Sequence, residues 1–460
     1  MSTAPSAIEA TTGQRPDIAS ARLSAAGYTA NFADVAPRLT RSQALVEAER
    51  CLYCHDAPCA TACPTGIDVP SFIRRIAEDN LRGAARTILE SNPLGGTCAR
   101  VCPTELLCEQ VCVRVAQNAK PVEIGRLQRY AVDAVMDRPL AALLPRAAET
   151  GKRVAVVGAG PAGLACAVVL ARLGHRVVLH DCKPKGGGLN EYGLATYKVP
   201  DEFAQRELDW LVGIGGIELL TGWRLDSAAH LAGLQANFDA VFLGVGLGGT
   251  HRLGVPGEDL SGVRDAVDFI AELRQTGDKS TMPIGRRVVV IGGGMTAIDA
   301  AVQSRLLGAS DVHMVYRRGP EAMGASPAER EGAQTQGVTV HYGLAPVEIV
   351  GEGGHAVAVR FARQAQVDGR LQATGEHETL AADMVLKAIG QKFSADMLGD
   401  SGLTLRQGRI VADDDGRTGV PGLYVGGDCR LGGRDLTVEA VEDGKRAARA
   451  IHTQRCTSDP

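Results

Sequence analysis

Residues 153–163 read RVAVVGAGPAG, and residues 286–301 read RRVVVIGGGMTAIDAA. In each, a run of apolar, mostly β-branched residues gives way to closely spaced glycines and then to small, helix-compatible residues. This is the strand–turn–helix signature of a dinucleotide-binding unit. The first carries Gly158-x-Gly160-x-x-Gly163, the second Gly292-x-Gly294-x-x-Ala297. Such glycines let the turn close, let backbone approach a pyrophosphate and let helix pack on strand; alanine is an accepted variant in the third place. HRVVLHD (175–181) and DVHMVYRR (311–318) supply the next strand of each unit. Gly158 and Gly292 are 134 residues apart, which predicts two Rossmann-like domains. GLYVGGDC (422–429) and the helical stretch after it predict a return to the first domain, so that the second is inserted in the first.

Asp181 follows Gly158 by 23 residues, at the strand end where an acid accepts from a ribose hydroxyl. The corresponding strand of the second unit ends in Tyr316-Arg317-Arg318. Arginines there suit the 2′-phosphate of NADP, and they equally suit an ordinary solvated strand end; both readings stand. Asp428 follows an apolar strand and precedes a helix expected to begin near Leu436. Its carboxylate suits a ribityl hydroxyl, and the helix N-terminus suits negative charge on a reduced flavin ring. The flavin candidates are Gly158, Gly160, Gly163, Asp181, Gly188, Leu189, Asp428 and Thr437. The NAD(P) candidates are Gly292, Gly294, Met295, Thr296, Asp299, Arg317 and Arg318.

Upstream, eight cysteines fall within 62 residues: Cys51, Cys54, Cys59, Cys63, then Cys98, Cys102, Cys108, Cys112. A 4Fe–4S cluster takes four soft thiolate ligands, so eight thiols approach the need of two clusters. Structural zinc is the competing reading, but zinc modules favour paired C-x2-C knuckles. Here the intervening counts are 2, 4, 3 and then 3, 5, 3, and two of the cysteines precede proline, as in ferredoxin-type ligation. Cys166, Cys182, Cys429 and Cys456 are scattered singly, Cys456 in what reads as a loose tail. No C-x-x-C lies in either nucleotide unit, which argues against disulfide-exchange chemistry. The stretch 39–50 reads as a helix leading into Cys51. Residues 68–90 place Val69, Phe72, Ile73, Ile76, Leu81, Ala84 and Ile88 at helical spacing, and a further helix is expected over 122–137. The cysteine blocks are therefore expected in loops that bracket a helical hairpin.

The domain layout expected is α/β: a helical iron–sulfur domain (1–145), an FAD-binding domain (151–250 and 388–460) and an inserted NAD(P)-binding domain (251–387). Forty-nine Lys+Arg against 53 Asp+Glu leave no basic field to favour nucleic acid. No run of about 18 apolar residues predicts a membrane span, and residues 1–20 lack the apolar core of a signal peptide. A cytoplasmic location is expected, where clustered cysteines serve metals more often than disulfides.

CLYCHDAPCATACPTGIDV, NPLGGTCARVCPTELLCEQVC, VGAGPAGLACA, GGGMTAIDAA and LYVGGDC, in this order, resemble the N-terminal half of dihydropyrimidine dehydrogenase and the small subunit of glutamate synthase. Coverage runs from about residue 40 to 452. The chain looks most like the flavin subunits of bacterial NAD-dependent dihydropyrimidine dehydrogenases, chiefly in the stretch around Cys98 and in NEYGLATYKVPDEFAQRE (190–207). The resemblance implies one cluster on Cys51, Cys54, Cys59 and Cys112, and another on Cys63, Cys102, Cys108 and Gln128. Cys98 is then a non-ligand, although spacing alone counts Cys98 in and leaves the hard donor Gln128 out. It further implies FAD, NADH (with NADPH possible), two 4Fe–4S clusters, no acid–base catalytic residue, and a hetero-oligomeric partner holding FMN, its own clusters and the pyrimidine site. The reaction implied is reversible reduction of uracil or thymine to the 5,6-dihydro form. The alternatives are a glutamate synthase small subunit, a stand-alone NAD(P)H–acceptor oxidoreductase, or a zinc-stabilised nucleotide-binding regulator.

Overall fold

The protein is described from a computed structural model covering residues 17–367 and 369–456. The chain forms two compact units. One comprises residues 34–194, 198–249 and 391–456; the other comprises 17–33, 195–197 and 250–390.

The first unit is built on a five-stranded parallel sheet. Its strands are β1 (Arg153–Val157), β2 (Arg176–His180), β3 (Ile217–Leu220), β4 (Ala240–Leu243) and the returning strand Leu423–Val425. Their spatial order is Leu423–Val425, β4, β1, β2, β3, the doubly wound order of a nucleotide domain. The helix Pro161–Arg172 starts from the glycine turn, with Pro161 at its first position, where a missing N–H costs nothing. The helix Thr437–Cys456 packs along it. A Cβ on Gly444 would lie 2.0 Å from the Ala162 carbonyl oxygen, so only glycine allows that approach. This helix runs through Cys456, which the sequence placed in a loose tail; its alternation of buried Val438, Val441, Ala448 and Ile451 with charged residues sustains it.

The same apolar core continues into the cysteine-rich region. The helix Arg41–Glu49 opens with a capping box between Thr40 and Gln43. Val69–Ala77 buries Val69, Phe72, Ile73 and Ile76, and Leu81–Ser91 buries Ala84, Ala85, Ile88 and Leu89; Asp68 and Asn80 cap them. Ile124–Asp133 follows. The second cysteine block is not simply a loop, as its glycines and prolines suggest, because Gly95–Val101 is a helix with Cys98 inside it. Its glycines serve close packing: a Cβ on Gly95 would meet Ile88 at 2.7 Å, and one on Gly96 would meet Glu207 at 2.6 Å.

The second unit repeats the parallel design with β5 (Val263–Asp265), β6 (Arg287–Ile291), β7 (Asp311–Tyr316), β8 (Thr339–Tyr342) and β9 (Met384–Lys387), in the order β8-β7-β6-β9-β5. Between β8 and β9 the chain adds an antiparallel three-stranded sheet, Leu344–Glu352, His355–Val367 and Arg370–Ala381. Residues 17–33 belong to this unit, not to the helical region that the sequence suggested. Ile18 and Ala19 pair with Gly285 and Ile284, and Tyr28 and Phe32 join the unit's core. Residues 1–16 of the expected helical domain lie outside the described residues.

Candidate functional site

At the first glycine turn, Gly158 has φ +100 and its N–H donates to the His180 carbonyl at 2.7 Å. A Cβ there would lie 2.3 Å from the Gly244 oxygen, and one on Gly163 would lie 1.7 Å from the Gly158 oxygen. Both glycines are therefore dictated by the fold. Gly160 differs: its φ is −75, and a Cβ would meet nothing nearer than the Gly188 Cα at 3.7 Å. It caps the helix Pro161–Arg172 and keeps space open at the N–H-rich helix end, an arrangement that suits an anion. Gly188 stands against it, and the Gly187 N–H donates to the Ala159 carbonyl at 2.8 Å, so the 186–188 loop is fastened onto the turn. Leu189 is exposed just beyond.

Asp181 is buried beneath this turn. Its two oxygens accept from the Ala159 and Lys183 N–H groups, each at 2.8 Å. Burial raises its carboxyl above the ordinary range, against the lowering effect of those two bonds. A carboxylate has lone pairs left for a ribose hydroxyl. Asp428 follows the returning strand; burial pushes its carboxyl up to about 7, with Asp435 adding to the rise and Arg409 opposing it. Arg409 donates to the Asp428 carbonyl at 2.5 Å. Thr437 opens the long helix and donates to Asn190 at 3.1 Å. Sequence reasoning missed Asn190 and also Asp443, which accepts from the Gly427 N–H at 2.9 Å and pairs with Arg430. Each works across 13 residues or more, with no local signature.

The second turn has the same anatomy. Gly292 has φ +155, and a Cβ would lie 2.2 Å from the Ala388 oxygen. Gly294 has φ −98 and meets nothing within 4 Å, so the space before the helix Met295–Leu306 is open. Met295 and Thr296, half-exposed, form the first turn of that helix. Arg317 and Arg318 are exposed immediately after β7. Asp299 is buried, and its oxygens accept from the Ala195 N–H at 3.3 Å and the Tyr197 hydroxyl at 3.4 Å. The sequence placed it with the nucleotide; in the structure it holds the segment 195–197.

The thiols separate into two groups. Cys51, Cys54, Cys59 and Cys112 line one cavity walled by apolar side chains, among them Leu52, Val69, Ile73, Val122 and Ile124. Burial pushes the Cys59 thiol up to about 11, with Cys51 and Cys112 adding to it, so these sulfurs crowd one another. In the other group, Cys102 is raised well above a thiol's usual range by its hydrogen bond with Cys98, then by burial, then by the charges of Cys98, Cys108 and Cys63. Four thiols around an apolar cavity suit a polynuclear cluster better than one zinc ion. Gln128 is buried on the helix Ile124–Asp133, which packs on the Cys98 helix. Its Nε2 donates to the Gly95 carbonyl at 2.7 Å, leaving Oε1 as the atom with lone pairs to give.

That Cys98-bearing helix is fixed from the opposite side by Glu207, which is buried and accepts from the Gly96 and Thr97 N–H groups at 2.8 and 3.0 Å and from the Thr97 hydroxyl. Burial raises its carboxyl to about 6, against those bonds and Arg100. A carboxyl that holds its proton more tightly folded than unfolded stabilises the fold at low pH. That contribution falls as pH climbs from its ordinary 4.5 through about 6. The change amounts to about 2 kcal/mol, and Glu207→Gln should abolish it. Urea unfolding at pH 5 and pH 7.5 checks this: the Gln variant should lose less stability between the two than the parent, and equal losses would contradict the assignment.

Residues 28–139 match the family described as dihydropyrimidine dehydrogenase domain II, 4Fe-4S cluster, and residues 152–444 match the pyridine nucleotide-disulphide oxidoreductase family. The NAD-dependent dihydropyrimidine dehydrogenase subunit PreT of Salmonella typhimurium is 35% identical over 92% of this chain and 97% of its own. The glutamate synthase [NADPH] small chain of Escherichia coli is 34% identical over 91% and 93%. Among solved structures, Mycobacterium tuberculosis FprA in complex with NADPH superposes with TM-score 0.55 at 21% identity, over 67% of this chain and 85% of that one. Lactococcus lactis thioredoxin reductase gives 0.52 at 23%, over 66% and 98%. Both likenesses concern the fold. Among the described residues no helix is long and apolar enough to cross a membrane. The glycine turns and grouped thiols fit FAD, NAD(P)H and 4Fe–4S clusters, the equipment of an NAD(P)H-dependent flavin oxidoreductase. With a family match across residues 152–444 and a relative 35% identical over nearly the whole of both chains, this protein belongs to the flavin- and iron–sulfur-bearing pyridine nucleotide oxidoreductases that include the PreT subunits and the glutamate synthase small chains.

Proposed function

We propose that the chain is the electron-input subunit of a dihydropyrimidine dehydrogenase. What supports this reading is that the grouped thiols suit clusters, the two glycine turns suit nucleotides, and a PreT subunit is 35% identical over 92% of this chain and 97% of its own. The unit around β1 takes FAD, with Gly160, Gly188 and Asp181 at the nucleotide and Asp428 and Thr437 at the flavin end. The inserted unit, expected over 251–387, takes NADH at Gly294, Met295 and Thr296. Cys51, Cys54, Cys59 and Cys112 hold one cluster, and Cys63, Cys102, Cys108 and Gln128 hold the other. Bound there, FAD would supply the exchange between two-electron hydride chemistry and the one-electron chemistry of the clusters. The protein's own part is to place these groups, and no side chain is required as acid or base for the hydride. A partner subunit with FMN and its own clusters holds the pyrimidine. The balanced reaction is NADH plus H+ plus uracil giving NAD+ and 5,6-dihydrouracil, and it runs in either direction.

Affinity purification from the native host tests the assembly. An FMN-containing partner is expected, whereas a glutamine amidotransferase would move the chain to glutamate synthase. The cofactor is a separate prediction. NADH should have the higher kcat/KM, because the PreT relatives are NAD-dependent, and the exposed Arg317 and Arg318, as solvated charges, contribute only about 1 kcal/mol or less each toward a 2′-phosphate. A strong NADPH preference that disappears in Arg317→Ala/Arg318→Ala would overturn it.

A further inference from the structure

The long helix Thr437–Cys456, whose first residue lies in the proposed flavin site, carries a lysine that reaches the hydrogen-bonding partner of one thiol. Lys445 is 2% exposed, on the ninth residue of that helix. Its ammonium donates to the Thr65 carbonyl at 3.1 Å and to Glu442 at 2.5 Å. Thr65 is itself buried, and its hydroxyl lies 3.3 Å from the Cys63 sulfur. Burial lowers the proton affinity of Lys445, Glu442 raises it, Arg449 lowers it further, and Cys63 raises it more weakly. A buried cation is an expensive thing to keep. Lys445 is kept where it holds the carbonyl of the residue whose hydroxyl lies beside the Cys63 sulfur.

We propose that Lys445 and Thr65 set the reduction potential of the cluster on Cys63, holding it more easily reduced than the same cluster without them. This rests on the reading that Cys63 is a cluster ligand. The physics has two parts. Reduction adds one negative charge, and a nearby buried cation stabilises the reduced state with little screening by water or salt. A hydroxyl donating to a ligating sulfur spreads the charge on that thiolate, which also favours reduction. Lys445 and Thr65 act through Cys63 and are positioning residues. Glu442 opposes them, because it shares the ammonium and also accepts from Arg446 at 3.0 Å.

Redox titration of the anaerobically purified full chain, followed by the electron paramagnetic resonance of the reduced clusters, tests this. Lys445→Met should lower the reduced-to-oxidised ratio of one cluster about tenfold at fixed poise, equivalent to ~59 mV for a one-electron couple. The other cluster should not move. Lys445→Arg should restore most of the shift. Thr65→Val should move the same cluster in the same direction, Thr65→Ser should not, and Glu442→Gln should move it the opposite way. If Lys445→Met loses iron, the Thr65 pair decides. Unchanged potentials in Lys445→Met and Thr65→Val, or equal shifts of both clusters, would overturn the proposal. Cys63→Ser separates it from the reading beneath: loss of one cluster there upholds the ligand assignment whatever the potentials do, and retention of both refutes that assignment.

Discussion

Gly160→Val should give a folded chain that keeps its iron and loses its flavin. The prediction turns on the difference between glycines that the fold needs and glycines that a ligand needs. A side chain at Gly158 or Gly163 would strike backbone oxygen at 2.3 or 1.7 Å, and either substitution would damage the turn itself. Gly160 sits at an ordinary φ of −75, and a Cβ there would meet nothing nearer than 3.7 Å, so a side chain can start from this position without striking the backbone. What valine fills is the space in front of the first N–H groups of the helix Pro161–Arg172, where the pyrophosphate has to lie. Overlap of this kind costs about 3 kcal/mol or more, roughly a hundredfold in affinity. Gly294→Val is the matched case in the inserted unit, with φ −98 and no neighbour within 4 Å. It should leave FAD in place and weaken the nicotinamide cofactor to a similar extent. Flavin absorbance per chain and NADH titration score both variants. Full flavin in Gly160→Val together with loss in Gly294→Val would mean that the two nucleotides occupy the opposite sites.

Cys102→Ser should remove one of two clusters, about half of the roughly eight irons expected per chain, while Cys98→Ser should keep both. The two thiols are neighbours and share a hydrogen bond, which makes the comparison demanding. Cys98 sits inside the helix Gly95–Val101, whereas Cys102 is the residue at its end, in extended backbone. Serine in place of Cys98 retains a hydrogen-bonding group beside Cys102 and forfeits no ligand. Iron and acid-labile sulfide analysis under anaerobic conditions decides it. Equal losses in both variants would put Cys98 back among the ligands, and Gln128→Leu without effect would take the glutamine out.

The parts of this molecule legible in the sequence are those with a local period or a local cap. The two glycine turns announce themselves because strand, turn and helix are contiguous, and the helices around Ile73 and Ile88 show their buried faces at helical spacing. What stayed hidden depends on partners far along the chain. The Cys98 helix is capped by Glu207, 110 residues away, and nothing near Gly95 indicates it. Residues 17–33 carry no strong pattern, and their place is set by pairing with Gly285 and Ile284. Asp299 stands where a nucleotide ligand is expected, and the sequence gives no sign that Ala195 and Tyr197 also reach it from a distant stretch. Lys445 looks like one more charge on an amphipathic helix until the fold brings Thr65 beneath it. The three-stranded sheet after β8 is largely exposed along Arg370–Ala381, and its sparse apolar alternation gave little to read. Gln128 came from the resemblance alone, since amide oxygen is a poor match for iron–sulfur chemistry.

An anaerobic assay of the purified chain with NADH, using ferricyanide and uracil as alternative acceptors, tests the central claim most directly. The chain alone should reduce ferricyanide and leave uracil untouched. With the FMN-containing partner added, dihydrouracil should appear in step with NADH oxidation. Uracil reduction by the single chain, or none by the reconstituted pair while ferricyanide activity is intact, would contradict the account.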